Sequence, residues 1–323
     1  MRTVLLTGAA GFIGHRTAER LLSRGMRVVG VDNLNDAYDP RLKRWRLDQL
    51  AGKDGFELVR LDIESREPLE RLFAKHRFDA VVNLAARAGV RYSLENPHVY
   101  FATNTIGTLN LLESMRRHGV RKLVLASTSS LYAGQPMPFD ETLPVNTPIS
   151  PYAASKKAAE VLCYAYHNLY KLYVSVLRYF TVYGPAGRPD MSIFRFIRWI
   201  DEGSPIQLFG DGSQARDFTY VDDVAEGTVR ALEPLGYEII NLGGGNAPIT
   251  LGAVIAKLEG LLGRQATIDR GEVHVADIKA TWANIQRARE LLGWSPSVDL
   301  DAGLARTVAW YRENRELVRS LRL

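Results

Sequence analysis

The sequence predicts an α/β protein: a doubly wound parallel sheet completed by a smaller mixed α/β lobe. Three observations lead there. A glycine-rich turn at Gly8, Gly11 and Gly14 joins the first apolar run to an amphipathic one. Segments such as FDAVVNLAARAG and VRKLVLAS are nearly continuous apolar runs, as expected of parallel strands buried on both faces. Beyond about residue 180 the composition shifts: GPAGRPDMSIFRFIRWIDEGSPIQLFGDGSQARDFTYVDDVAEG is denser in Gly, Pro, Arg and aromatic residues than anything before it. Repeated strand and helix alternation of this kind winds into one sheet through right-handed crossovers, with ligands at the carboxyl ends of the strands.

The first strand, TVLLT, runs into Gly8-x-x-Gly11-x-x-Gly14 and a helix to about Arg24. The glycines let the backbone turn sharply and approach a pyrophosphate, whose charge then sits on the helix amino terminus. Phe12 and Ile13 fall in the same turn and are expected against the same ligand. MRVVGVD is the second strand and ends in Asp32, about eighteen residues after the last glycine. A carboxylate there accepts both adenosine ribose hydroxyls and repels a 2′-phosphate, so the expected cofactor is NAD rather than NADP. Asn33, in place of an arginine, agrees; the competing reading makes Asp32 a plain turn residue.

FELVRLDI is the third strand, with Asp62 and Ile63 beside the adenine, and a helix follows from about Glu67 to Lys75. The next strand exits through Leu84, Ala85 and Ala86, small enough for close contact with the cofactor. A helix over Val99 to Met115 carries Asn104, and the strand after it delivers Thr128 at its end.

Tyr152 and Lys156 follow on a helix expected from Pro151 to Lys171, and their i, i+4 spacing puts both on one face. An ammonium beside a phenol favours the phenolate and draws the tyrosine from about 10 toward neutrality. Each pKa unit is worth about 1.4 kcal/mol, so one lysine seldom suffices and a second cation is expected. An oxidised nicotinamide ring would serve. Taken alone, the pair is equally an ordinary helix face; the dinucleotide fingerprint upstream favours a catalytic base. Ala158, Val161, Leu162, Ala165 and Leu169 give this helix more apolar surface than one contact with the sheet needs, so a homodimer through it and the Val99 to Met115 helix is expected.

Composition narrows the classes. The 323 residues are 46% hydrophobic, which fits a soluble globular protein of one large or two modest domains. The single cysteine, Cys163, excludes an internal disulfide framework and a cysteine-built metal site; no metal is expected, and a reducing cytoplasm suits this usage. Glycines interrupt the amino-terminal apolar run before it can serve as a signal, and no stretch approaches the ~20 apolar residues of a membrane span. The net charge of +5 comes mainly from arginines scattered among at least as many acids, a mixed solvated surface rather than a nucleic-acid stripe.

The glycine turn, Asp32, the Leu84-Ala85-Ala86 exit, Asn104, Thr128, Tyr152-x-x-x-Lys156 and RDFTYVDD together resemble the extended short-chain dehydrogenase/reductases, specifically the nucleotide-sugar epimerases, over essentially the whole chain. DNLNDAYDPRLKRWRL, AARAGVRYSLENP, RYFTVYGPAGRPDM and FGDGSQARDFTYVDD are most similar to the UDP-glucuronate 4-epimerases. The resemblance implies a Rossmann NAD-binding domain over residues 1–180 plus about 218–250, and a nucleotide-sugar-binding lobe over about 181–217 plus 251–323. It implies 4-epimerisation of UDP-glucuronate to UDP-galacturonate through a transient 4-keto sugar, with Thr128, Tyr152 and Lys156 as the catalytic triad. Because no net redox occurs, the cofactor should stay bound. The alternatives are a UDP-glucose or UDP-N-acetylglucosamine 4-epimerase and, in another class, a non-catalytic NAD-binding or RNA-associated member.

By the same resemblance Asn104 supports the triad helix, Tyr179, Phe180 and Thr181 lead toward nicotinamide and sugar, and Arg188 and Arg216 meet the diphosphate or the sugar acid. Gln207 to Phe209 line the uracil, and Asp277 its ribose. Ser129 and Ser130 stand where dehydratases resemble Asp-Glu and where related decarboxylases carry a glutamate, which disfavours both reactions. With Ser127 and Thr181 they are placed to clamp a C5 carboxylate in the plane that forbids loss of CO₂, or they are ordinary turn residues. Two departures stand out: His274 replaces an arginine of many UDP-hexose epimerases, and Ala133 replaces a usual glycine.

Overall fold

A computed structural model describes residues 1–272 and 278–323; His274 and Asp277 lie outside the described residues. The chain begins β1 (Thr3–Thr7), α1 (Phe12–Ser23), β2 (Arg27–Asp32), α2 (Pro40–Asp48), β3 (Phe56–Arg60), α3 (Arg66–Lys75) and β4 (Ala80–Asn83). It continues through the short α4 (Val90–Glu95) and α5 (His98–Tyr100), a π-helical turn at Phe101–Ile106, α6 (Gly107–His118), β5 (Lys122–Thr128), a 3-10 turn at Ser129–Tyr132, α7 (Pro151–Tyr170) and β6 (Tyr173–Tyr179). Then come β7 (Thr181–Tyr183), α8 (Ser192–Glu202), β8 (Ile206–Phe209), β9 (Ala215–Arg216), β10 (Phe218–Tyr220), α9 (Val221–Arg230) and β11 (Tyr237–Leu242). The last elements are β12 (Ile249–Thr250), α10 (Leu251–Leu262), β13 (Ile268–Gly271), α11 (Gln286–Leu292), α12 (Leu300–Glu313) and α13 (Arg315–Ser320).

Seven strands form one sheet in the order β11-β6-β5-β4-β1-β2-β3, every neighbour parallel, which is the doubly wound sheet expected from the sequence. The winding reverses between β1 and β4, so the crevice beyond their carboxyl ends is the natural ligand site. β4 and β5 are buried at every position. Period-two alternation sorts β5 between two cores: Leu123 and Leu125 pack with Ala159 and Cys163 of α7, while Val124 and Ala126 face the opposite layer. Burial pushes the Cys163 thiol upward, as suits a packing residue.

The remaining elements build a third core around Tyr183, Phe196, Ile197, Leu258, Leu304 and Tyr311. It also takes Leu42, Tyr38 and Trp45 from α2 and its approach, and Trp45 meets Trp310 edge-to-face at 5.3 Å. Conversely Ala283, Ile285, Ala288, Leu292 and Trp294 pack with the sheet.

Two elements differ from their sequence reading. The apolar run YVSVLRYFTVYG has the sequence pattern of one strand but forms two: β6 stays in the sheet while β7 pairs with β10. The break falls at Phe180, whose N–H reaches the last β11 carbonyl, Leu242, at 3.1 Å; beyond that point the sheet offers no partner. The single helix expected over Val99 to Met115 is interrupted by the π-helical turn that carries Asn104.

Candidate active site

The cofactor end is shaped by what the glycines leave out. Gly8 has φ +70°, and a Cβ there would lie 2.8 Å from the backbone of Leu84 and Ala85; a Cβ on Gly14 would overlap the Gly8 carbonyl. These close approaches hold β1, β4 and α1 together around an open turn. Gly11 caps α1 without a side-chain bond, so the first N–H groups of that helix are available to an anion. Asp32 is buried at the end of β2; its carboxylate accepts from the backbone N–H of Ala10 (3.1 Å) and Leu34 (2.8 Å) and from Lys43 Nζ (3.3 Å). Asn33 donates to Asp62 at 2.7 Å. A turn that excludes a Cβ, an uncapped helix start and a buried carboxylate at the end of β2 fit the dinucleotide expected from the sequence.

These residues line one cleft of about 450 Å³ that continues to the ends of β5 and β6. Its walls include Gly8, Gly11, Phe12, Ile13, Gly14, Asp32, Asn33, Asp62, Ile63, Leu84, Ala85, Ala86 and Tyr179 of the expected cofactor set, and Lys156, Tyr152 and Thr128. Ser127, Ser129, Ser130, Thr181, Arg188 and Arg216 of the expected substrate set line it too. Gln207 and Phe209, on β8, are not among its described walls: Gln207 donates to Asp269 at 2.7 Å, and the Phe209 ring lies under the Arg91 guanidinium at 3.9 Å.

α7 starts cleanly because Ser150 caps the Ala153 N–H and Pro151 occupies the first turn. Burial pushes the Tyr152 phenol up in the protein alone, against the Thr128 hydroxyl and the nearby Arg188 charge, which favour its ionised form. Lys156 is buried, donates to the Ala126 carbonyl at 2.9 Å, and is pulled down to about 8 by burial against the supporting charge of Glu160. A cationic cofactor bound in this cleft would add what the lysine lacks. Arg188 pairs with Asp190 (3.0 and 2.6 Å) and donates to the Ala88 carbonyl.

Asn104 stands behind the cleft rather than in its wall. Its amide brackets the Arg87 backbone (2.9 and 3.0 Å) and donates to Ser155 Oγ (2.9 Å), which in turn donates to the Tyr152 carbonyl (2.8 Å). The π-helical turn thus fixes the first turn of α7; such turns recur at functional sites.

Ser127 contributes to the wall, but its hydroxyl donates to Glu160 at 2.6 Å. The alternation of β5 explains it: Ser127 shares a face with Leu123 and Leu125, toward α7, and Thr128 the other. Glu160 also receives Arg178 Nε (3.0 Å) and Nη2 (2.8 Å), and Arg178 Nη1 donates to Tyr132 (2.7 Å), whose hydroxyl donates to Asn241 (2.8 Å). Both members of the pair are 1% exposed. Sequence spacing gave no sign of this network, except that Glu160 follows Lys156 by one helical turn.

Comparison with known proteins agrees with this geometry. The model of the NAD dependent epimerase/dehydratase family matches residues 4–243. The chain is 59% identical over 319 residues, 99% of both chains, to the UDP-glucuronate 4-epimerase of Thermodesulfobacterium geofontis. Its fold matches a Bacillus cereus UDP-glucuronic acid 4-epimerase in complex with UDP-glucuronic acid and NAD (TM-score 0.91, 37% identity, 96% of this chain and 99% of that one). It also matches a Thermotoga maritima UDP-glucose 4-epimerase with UDP-glucose (TM-score 0.89, 32% identity, 97% and 99%). The chain therefore belongs to the NAD-dependent epimerase/dehydratase family, within the extended short-chain dehydrogenase/reductases, and is an NAD-dependent nucleotide-sugar epimerase.

Proposed function

We propose that the protein interconverts UDP-glucuronate and UDP-galacturonate. The observation that carries this reading is the convergence, at the sugar end of one cleft, of Thr128, Tyr152 and Lys156 with Ser129, Ser130, Thr181 and the Arg188 guanidinium. The first three supply a base; the others offer hydroxyls and a cation to a carboxylate. Identity to the Thermodesulfobacterium relative supports the same substrate.

In this mechanism bound NAD supplies the acceptor and donor for hydride at C4. Tyr152 takes the C4 hydroxyl proton, Thr128 shares that hydrogen bond, and Lys156 holds the phenolate and the nicotinamide ribose. With the cofactor bound, the 4-keto sugar would rotate in the site and be reduced on its opposite face, and Tyr152 would return the proton to the C4 oxygen. A 4-keto uronic acid is a β-keto acid, prone to lose CO₂. Ser129, Ser130, Thr181 and Arg188 hold the carboxylate out of the eliminating geometry. Arg216 is assigned to the diphosphate, and Gln207, Phe209 and Asp277 remain proposed nucleotide contacts.

Residues 1–180 with about 218–250 are assigned to cofactor binding and the rest to the nucleotide sugar. No helix among the described residues is long and apolar enough to cross a membrane, and a cytoplasmic site of action is proposed. A homodimer is proposed through α7 and the π-helical turn, where Val161 (55%), Tyr164 (56%), Leu169 (65%), Phe101 (40%) and Ile106 (48%) are exposed. The test is a proton NMR time course with UDP-glucuronate and, separately, UDP-glucose, using wild type and Tyr152→Phe. Inversion at C4 of UDP-glucuronate, lost in the variant, is expected. UDP-pentose as the stoichiometric product, or turnover of UDP-glucose alone, would reject the assignment.

A further inference from the structure

We propose that Arg46 is a positioning residue that locks the cofactor turn to the loop carrying Arg188, and thereby retains the dinucleotide between turnovers. Arg46 sits in the last turn of α2, is fully buried, and belongs to neither ligand set. Its guanidinium makes five hydrogen bonds in three directions. Nη1 donates to the Ala10 carbonyl (3.1 Å), inside the turn between Gly8 and Gly11, and to the Tyr38 hydroxyl (2.6 Å). Nε (3.0 Å) and Nη2 (2.8 Å) both donate to the Ala186 carbonyl, and Nη2 also to the Gly187 carbonyl (3.1 Å). The rings of Phe12 and Tyr38, both in the cleft wall, lie 6.0 and 5.4 Å from its central carbon.

Ala10 is held from both sides, its N–H by Asp32 and its carbonyl by Arg46, so the phosphate turn has little freedom left. At the other end Ala186 has φ +54°, a left-handed conformation that alanine rarely adopts. It is sustained where its carbonyl receives two N–H groups. Arg188, in the sugar end of the cleft, follows two residues later. One planar fork therefore sets the geometry of the turn at the cofactor and the loop at the sugar together. A lysine offers a single point of donation and cannot bridge the same carbonyls. All four acceptors are neutral, so the buried charge also favours an anion at the turn.

Retention matters because the reaction, on the substrate reading above, has no net redox. The sugar gives up its C4 hydride to the cofactor and its hydroxyl proton to Tyr152, and both must return to the same carbon and oxygen. Loss of the reduced cofactor at that moment would release a 4-keto sugar and leave a subunit needing fresh NAD⁺.

The test measures NAD per subunit, by chromatography of the denatured protein, after desalting wild type, Arg46→Met and Arg46→Lys. Arg46→Met is expected to retain less by about tenfold or more, with Arg46→Lys between it and wild type. With saturating NAD added, kcat of Arg46→Met should recover while KM for the UDP-sugar stays raised, a split that general destabilisation would not give. A folded Arg46→Met with wild-type NAD content overturns the proposal. Should that variant be insoluble, wild-type retention by Arg46→Lys does so. Wild type that retains NAD but turns over no UDP-sugar would sink the substrate reading and leave the test of Arg46 standing.

Discussion

Replacing Arg178 by methionine strands the Glu160 carboxylate inside the protein. In the native network Glu160 receives two N–H bonds from Arg178 and one O–H bond from Ser127, with Lys157 3.8 Å away. Without Arg178 it keeps the Ser127 hydroxyl and, without a direct hydrogen bond, the Lys157 and Lys156 ammonium groups. Breaking a fully buried pair from one side costs about 3–5 kcal/mol, or about 6–10 °C in Tm at ~2 °C per kcal/mol for a chain of this length. Replacing Glu160 by methionine as well removes the stranded charge. An apolar pair is often no worse than the ion pair it replaces, so the double variant should lose only the ~1–3 kcal/mol of the Ser127 hydroxyl left without an acceptor. Tyr132 keeps Asn241 throughout. Thermal and urea unfolding of both single variants and the double variant close the cycle, and the expected coupling is about 2 kcal/mol or more. Additive losses, or an Arg178→Met loss below about 1 kcal/mol, would refute the reasoning that this pair fastens α7 to β5 and β6.

Other outcomes follow from single groups. The rate kcat/KM should fall above about pH 8, where Lys156, lowered by burial, gives up its proton; Glu160→Gln removes the charge that supports the ammonium and should move that limb to lower pH. A limb that stays in place in the variant would exclude Glu160 from setting the charge of Lys156. Asp217 is buried and accepts the N–H groups of Gly245 (3.1 Å) and Ala283 (3.0 Å), yet burial raises it to about 6. Its folded pKa lies above the ~3.9 of an unfolded aspartate, so its contribution is fully present at low pH and lost as pH rises through about 6. Asp217→Asn should therefore gain in Tm relative to wild type between pH 4.5 and 7; the opposite trend would show the contacts of Asp217 with Gly245 and Ala283 to depend on the charge. Val161→Asp together with Tyr164→Glu should give monomers in sedimentation at micromolar concentration, and an unchanged dimer would move the interface elsewhere.

What was legible in the sequence was local. Gly8, Gly11, Gly14 and Asp32 announce a phosphate turn and its ribose carboxylate because the chemistry fixes their spacing. Tyr152 and Lys156 announce themselves because one helical turn separates them. The sheet was legible for a related reason: strands buried on both faces have no polar alternation to confuse. Contacts set by tertiary packing were hidden. Nothing near Arg46 marks it as a bridge between residues 10 and 186, and nothing near Arg178 marks Glu160 as its partner. Ser127 is the intermediate case. Proximity in sequence groups its hydroxyl with Ser129 and Ser130, whereas the two-residue period of β5 turns it toward α7. The break at Phe180 was missed because the apolar pattern continues across it while the hydrogen-bonding partner changes.

The packing of α2 into the third core bears on how the protein can be divided. Tyr38, Leu42 and Trp45 come from the first fifth of the chain, yet they sit among the side chains of α8, α10 and α12. A fragment beginning at residue 181 would leave a gap where three large side chains belong and would expose Trp310. The lobe built on the third core is thus not a transplantable module. A chimera that borrows another substrate lobe must bring its matching α2 with it, and that segment enters the chain more than a hundred residues earlier than the lobe it serves.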